Sequence, residues 1–416
     1  MKKIDFNYGE IVYKEVLDNG LTVYLYPTNK SKNFYITVST HFGAEVMSYK
    51  KNNKVYDVTK GSAHFLEHRV MDFTKNVDAM NKINELGSIV NAYTTYKGTN
   101  YNLYGVEDIY TNMGLLFDRV FKANIKKEDV EMERGIILEE YYMYDADPYY
   151  KAQTTLLKNC FNSSFIKYLV IGTEDGIKTV SYKELNKLYK DFYTLDNMFI
   201  VVTGNFILED VLNYINNYMK GIKTTKCNCK VIKPVENYKV NVSYEELTGS
   251  TDEAKIVIGY KVKNSNPKKK IVNRLLMDMI LSENFDKTGS SYLRLMNEGL
   301  NRFSYFVEEV DDYFLIAFTG STNEYEKFTN IIDEEIKNLD FTKEALERKT
   351  KGYISNLILS FEYIENVEDN ITSGLFDYNK VLNNMESIIK KVTLNDVKEV
   401  IKCIDTTNKS VLIMKK

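Results

Sequence analysis

The 416-residue sequence contains only three histidines, His41, His64 and His68, and two of them stand in the run His64-Phe65-Leu66-Glu67-His68. On an α-helix, positions i and i+4 share a face and i+3 lies beside them, so both imidazoles and the Glu67 carboxylate can reach one small volume. The order is H-x-x-E-H, the inverse of H-E-x-x-H. Two neutral imidazoles suit zinc, and a catalytic zinc needs a third protein ligand and one open position for water. The run Glu133-Arg-Gly-Ile-Ile-Leu-Glu139-Glu140 offers that third ligand. Glu133 and Glu140 are nearly two helical turns apart and share a face with Ile137, whereas Glu139 lies about 100° round the helix. A carboxylate on a buried face is costly unless it is paired or metal-bound. That selects Glu140 as the ligand and leaves Glu133 to orient a ligand from behind. Glu67, beside the ligands without being one, is placed to act as a base toward a metal-bound water. His41, near the end of a strand, is read as an ordinary structural residue.

These groups need elements to hold them. Leu21–Tyr26 and Asn33–His41 alternate as strands, with a tight-turn signal at Asp18-Asn19-Gly20. A helix starts near Gly61-Ser62-Ala63 and would carry the histidines. Ile89–Thr95 and Asn100–Val106 read as a strand pair turning at Lys97-Gly98, and amphipathic helices follow at about 107–122 and 126–145. Phe199–Thr203 is a buried strand stopped by Gly204, with a helix at about 207–219. Residues 221–240, with Thr224, Thr225, Asn228 and Pro234 among lysines, have the composition of a linker. The pattern then restarts with a strand at Lys255–Tyr260, a helix at about 269–284, strands at Phe303–Val307 and Asp312–Thr319, helix over about 323–362 and a closing strand at Ser410–Met414.

The two halves repeat. Asn84-Glu85-Leu86-Gly87 and Asn297-Glu298-Gly299-Leu300 each precede a strand pair, and Lys127-Glu128 and Lys343-Glu344 each open a long helix at nearly the same offset. The second copy has no histidine, so imidazole chemistry, and hence one zinc per chain, belongs to the first. The expected fold is α+β, with two homologous domains at 1–225 and 235–416, each a mainly antiparallel sheet with helices packed on one face.

Composition excludes several other classes. Net charge is −3, with 44% hydrophobic and 27% charged residues, which suits a soluble globular chain and argues against a nucleic-acid partner. No apolar run of about 18 residues exists, so no membrane partner is expected. The two opening lysines are not followed by an apolar signal segment. Cys160, Cys227, Cys229 and Cys403 match no disulfide framework, and Cys227-Asn228-Cys229 lacks the second pair a zinc site would need. The expected compartment is the cytoplasm.

Gly61-Ser-Ala-His64-Phe-Leu-Glu67-His68, followed by Glu133-Arg-Gly-Ile-Ile-Leu-Glu-Glu140-Tyr-Tyr-Met-Tyr-Asp-Ala-Asp-Pro148, resembles the pitrilysin/insulinase-type zinc metallopeptidases, in particular their small bacterial two-domain branch. Asn91-Ala92-Tyr93-Thr94 is similar to the edge strand that holds the substrate backbone in that family. Asn197–Gly204 resembles the strand closing its first half, and Gly289-Ser290-Ser291 with Glu298-Gly299-Leu300 resembles its second-half signature. The resemblance implies two domains facing each other as a clamshell around a chamber, and short or unfolded peptides bound as an added strand. It leaves room for a homodimer, or for a heterodimer in which this chain is a subunit with little activity alone. A hydrolase of non-peptide substrates fits less well with an edge strand built for peptides. The sequence departs from the family in two places. The interval from His68 to Glu140 is slightly short, and Met296 and Arg302 stand where many relatives carry an Arg and a Tyr that hold substrate.

Overall fold

The computed structural model describes residues 1–72, 77–223, 225–249, 251–264 and 266–416; Thr224 of the expected linker lies outside the described residues. The strands in chain order are β1 (Lys2–Asp5), β2 (Ile11–Val16), β3 (Thr22–Pro27), β4 (Phe34–Thr40), β5 (Ser48–Lys51), β6 (Lys54–Asp57), β7 (Ile89–Thr94), β8 (Thr99–Gly105), β9 (Met198–Gly204), β10 (Lys230–Val231), β11 (Tyr244–Thr248), β12 (Lys255–Lys263), β13 (Phe303–Val310), β14 (Tyr313–Ser321) and β15 (Lys409–Lys415). They form a seven-stranded sheet in the order β1-β2-β3-β9-β4-β8-β7, a five-stranded sheet in the order β11-β15-β12-β14-β13, and a small sheet β10-β5-β6. Pairing is antiparallel except for β3 with β9 and β11 with β15. The mainly antiparallel α+β reading of the sequence therefore holds.

In the seven-stranded sheet the period of two sorts side chains cleanly between faces. Ile36 and Val38 of β4, Tyr101 and Leu103 of β8 and Ile200 and Val202 of β9 are fully buried on one face. The helices of the first half include α1 (Ser62–Val70), α2 (Val77–Glu85), α3 (Ile109–Phe121) and α4 (Lys127–Ala146), of which α1 and α3 pack on this sheet. Tyr24, Tyr26, Phe199 and Val201 point to the other face, which is also apolar. They are covered by Phe361 and by Val367, Ile371 and Leu375 of the helix Ile364–Tyr378.

The five-stranded sheet is covered on both faces as well. Ile256, Ile258 and Tyr260 of β12 join a core with Leu276, Ile280 and Phe318. The other face of β12 meets α5 (Pro148–Cys160): a Cβ on Gly259 would sit 3.0 Å from both Cys160 Sγ and a Leu156 methyl. Beside it, Lys261 is fully buried, and its Nζ donates to Cys160 O (2.9 Å), Glu236 Oε1 (2.8 Å) and Asn237 O (2.6 Å). Three acceptors around one ammonium are what a buried lysine needs.

Helices lie on both faces of each sheet, because both faces carry apolar side chains that must leave water. The chain divides into two compact units, each drawn from three segments. The first is Met1–Tyr141, Leu169–Lys233 and Asn356–Asn384; the second is Tyr142–Tyr168, Pro234–Ser355 and Met385–Lys416. Each half of the chain supplies one helix to the sheet of the other unit: α5 in one direction, Ile364–Tyr378 in the other. The expected helix over 323–362 is interrupted, running as Tyr325–Lys337 and then Lys343–Leu359. Among the described residues no helix is long and apolar enough to cross a membrane.

Candidate metal centre

Helix α1 starts at Gly61, whose φ of 93° is left-handed and whose Cβ, if present, would lie 2.5 Å from Ile171 O. Only glycine fits that backbone, and it fixes where the histidine helix begins. From there α1 buries Ala63, Phe65, Leu66 and Val70 in the core. His64 and His68 are turned toward α4, with side chains 12% and 23% exposed.

On α4 the facing positions are as the helical period requires. Ile137 is buried, Glu133 and Glu140 are partly buried, and Glu139 is exposed. His64 Nε2 lies 3.8 Å from Glu140 Oε1 and His68 Nε2 lies 3.5 Å from Glu140 Oε2. One ligand atom from each of the three residues falls within 4.8 Å of the others. Ligand atoms at about 2.1 Å around a tetrahedral zinc stand about 3.4 Å apart, so the donor set matches that ion in type and nearly in spacing. Among the described residues this is the group of ligating side chains able to hold a metal. Cys227 and Cys229 are free thiols outside it.

The second ring nitrogens are held differently. His68 Nδ1 pairs with Glu133 Oε1 at 2.9 Å, which fixes the tautomer that presents Nε2 to Glu140. His64 Nδ1 is buried with no hydrogen-bond partner, so nothing competes for this ring's orientation on that side. Burial and the neighbouring His68 push the His64 pKa down to about 4. Burial also opposes charge on His68, but its hydrogen bonds to Glu133 and Glu140 prevail and raise it to about 9. Carboxylates facing the two imidazoles make a place that favours a cation. The His68 bond, together with Arg69, holds the Glu133 pKa low despite partial burial.

Glu67 is 8% exposed and accepts a hydrogen bond at Oε2 from Thr94 Oγ1 at 2.5 Å. Burial raises its pKa, with Thr94 and His68 pulling the other way. Thr94 ends β7, the last strand of the sheet, which among the described residues pairs only with β8. Asn91, Ala92, Tyr93 and Thr94 thus lie on an edge of the described sheet. The alternation sends the Thr94 side chain to Glu67, and the Ala92 N–H is bonded to Asn91 Oδ1 at 2.9 Å. His41 stands apart, its ring 5.3 Å from that of Phe199 and 5.9 Å from that of Phe376, with its pKa lowered by burial. Met296 and Arg302 are exposed, and Arg302 pairs with Glu253 at 3.2 Å.

Residues 55–174 match the insulinase family, peptidase family M16, and residues 179–353 match the peptidase M16 inactive domain. The chain belongs to the insulinase family of peptidases. The M16 inactive-domain match spans a stretch without histidines. Among insulinase-family relatives, the uncharacterized zinc protease YmfH of Bacillus subtilis is 25% identical over 94% of this chain and 93% of its own. In structure, the chain superposes on an M16-like peptidase from Alicyclobacillus acidocaldarius with a TM-score of 0.91 at 21% identity, covering 98% of this chain and 99% of that one. It also matches the first half of the periplasmic protease PqqL from Escherichia coli, with a TM-score of 0.75 at 18% identity over 97% of this chain and 91% of that half. These likenesses show the insulinase-type two-domain fold.

Two partners in the site escaped the sequence reading. One is the hydroxyl of Thr94, assigned to substrate and found on Glu67. The other is Arg69, whose guanidinium donates to Glu133 Oε2 at 2.6 Å. The only signal for Arg69 was a cation immediately after a ligand histidine.

Proposed function

We propose that this chain is a zinc-dependent endopeptidase of short or unfolded peptides, with one zinc per chain on His64, His68 and Glu140 and with Glu67 as general base. The observation that carries the reading is the short bond from Thr94 to Glu67. It sets a buried carboxylate between the ligand cluster and the open edge of β7, so a peptide added to that edge would pass directly by the base. A zinc ion bound there supplies a Lewis acid that polarises a carbonyl and acidifies water.

The chain's own residues do the rest. Glu133 keeps the proton on His68 Nδ1, leaving the Nε2 lone pair for the metal. The outward edge of β7 over Asn91, Ala92, Tyr93 and Thr94 takes the substrate backbone as an eighth strand, which would displace the Asn91 side chain from the Ala92 N–H. Glu67 accepts the proton of the attacking water and delivers it to the departing amine nitrogen. Its raised pKa brings it closer to the working pH, where proton transfer in both directions is efficient.

A second reading, in which the chain is a subunit acting beside a related chain or a second copy, draws on the PqqL comparison. This chain spans 47% of the full PqqL chain and matches its first half. The test is direct. Purified protein is assayed for zinc by elemental analysis and for cleavage of a quenched-fluorescence peptide library, alone and mixed with a related chain. Zinc binding with peptide cleavage by the single species supports the first reading. Cleavage only on mixing supports the second, and no cleavage under either condition refutes both.

A further inference from the structure

Arg69 follows His68 on α1, and its side chain is only 6% exposed. Nη1 donates to Glu133 Oε2 at 2.6 Å. Nη2 donates to Asp72 Oδ2 at 2.5 Å and lies 4.0 Å from Asp129 Oδ2. The partners are themselves largely buried, Asp72 at 10%, Asp129 at 5% and Glu133 at 14% exposure. Arg119 donates to the Asp72 carbonyl oxygen, so the cluster is tied to α3 as well.

Exposed ion pairs contribute little, but a guanidinium taken out of water must be matched by geometry. Here the match leads to a ligand histidine. The two oxygens of Glu133 are divided between His68 Nδ1 and Arg69 Nη1, so the carboxylate is held at both ends and cannot rotate. Asp129 and Glu133 are one turn apart on α4, and Glu140 follows two turns later on the same helix. One planar guanidinium therefore joins the helix that carries His64 and His68 to the helix that carries Glu140.

We propose that Arg69 is a positioning residue of the metal centre: through Glu133 it sets the ring plane of His68 and ties α1 to α4. The proposal rests on the reading of His64, His68 and Glu140 as metal ligands. Lysine cannot replace arginine in this role, because a point charge lacks the fork that spans Glu133 and Asp72 together.

The test measures zinc affinity by chelator competition and the visible absorption of the Co2+-substituted protein. The proteins compared are wild type, Arg69→Gln, Arg69→Lys, Glu133→Gln and the double variant Arg69→Gln/Glu133→Gln. Glu133→Gln is expected to weaken zinc by about 10- to 100-fold, and Arg69→Gln by a factor in the same range. Because Arg69 acts through Glu133, the double variant should bind no more than about threefold more weakly than Glu133→Gln alone. The Co2+ bands of Arg69→Gln and Glu133→Gln should shift alike. Arg69→Lys keeps the charge and serves where Arg69→Gln does not fold; it too should show weakened zinc and shifted bands. Wild-type affinity and bands in the Arg69 variants overturn the proposal, as do losses that multiply in the double variant. Failure of the wild-type protein itself to bind zinc or Co2+ overturns the metal-site reading, and the proposal with it.

Discussion

Thr94→Val isolates the one hydrogen bond that joins the base to the edge strand. Valine keeps the shape and the strand preference of threonine and removes only the hydroxyl that donates to Glu67 Oε2 at 2.5 Å. Glu67 is 8% exposed, so water cannot fully replace that donor. A hydrogen bond to a charged group contributes about 1.5–3 kcal/mol. Since about 1.4 kcal/mol corresponds to tenfold, the ionised form of Glu67 should lose stability by about 10- to 100-fold relative to the neutral form. The sign follows from the role. Burial already raises the Glu67 pKa, Thr94 lowers it, and the base works ionised. Removing Thr94 raises the pKa further, so the acid limb of the pH–rate profile moves toward higher pH. On that limb Thr94→Val should be slower by up to the factor above, and on the alkaline plateau it should approach wild type. Thr94→Ser should keep the wild-type limb. The assay is kcat/KM against pH on a quenched peptide, with zinc content measured in parallel. An unmoved acid limb, at full zinc loading, would refute the assignment of Glu67 as the titrating base.

Glu67→Gln should retain zinc and lower hydrolysis by about 10²- to 10⁴-fold, whereas Glu140→Gln should weaken zinc itself and exposed Glu139→Gln should behave as wild type in both elemental analysis and peptide assay. Elemental analysis should give about one zinc per chain, and chelation should abolish cleavage until zinc is restored; a second zinc held in residues 240–416 would contradict the ligand set. Phe361→Ala removes a ring 4% exposed that meets Phe6 edge-on at 5.1 Å, and should destabilise the protein by about 3–5 kcal/mol in urea unfolding. A change under about 1 kcal/mol there would mean that the Ile364–Tyr378 helix does not pack firmly on the first sheet.

What the sequence made legible is what a local pattern controls. His64, Glu67 and His68 lie within two helical turns, and Glu133, Ile137 and Glu140 obey the same period, so their common face could be computed without knowing what it faces. The β7–β8 pair was legible from its own turn at Lys97-Gly98. Thr94 and Arg69 were not, because their roles depend on α1 lying against β7 and α4, which no spacing encodes. β1 and β5 were hidden by composition: Lys2-Lys-Ile-Asp5 and Ser48-Tyr-Lys-Lys51 carry too few apolar residues to show alternation. The helix ownership of each sheet was hidden for a different reason. Chain order says which helix follows which strand, but not which sheet face still needs cover.

That ownership has a consequence for synthesis. All seven strands of the first sheet have been made once residue 204 has left the ribosome, but Phe361, Val367, Ile371 and Leu375 come more than 150 residues later. At about 5–20 residues per second, the face formed by Tyr24, Tyr26, Phe199 and Val201 stays bare for roughly 8–30 seconds. The helix α5, meanwhile, is finished before its own sheet exists. Neither repeat is a self-sufficient module for the nascent chain. A gene cut at the linker would yield one product with an uncovered sheet and a stray helix, and another with the opposite surplus and deficit. The duplicated architecture is therefore completed only when the whole polypeptide has been made, and the nascent first sheet is a natural client for chaperones until then.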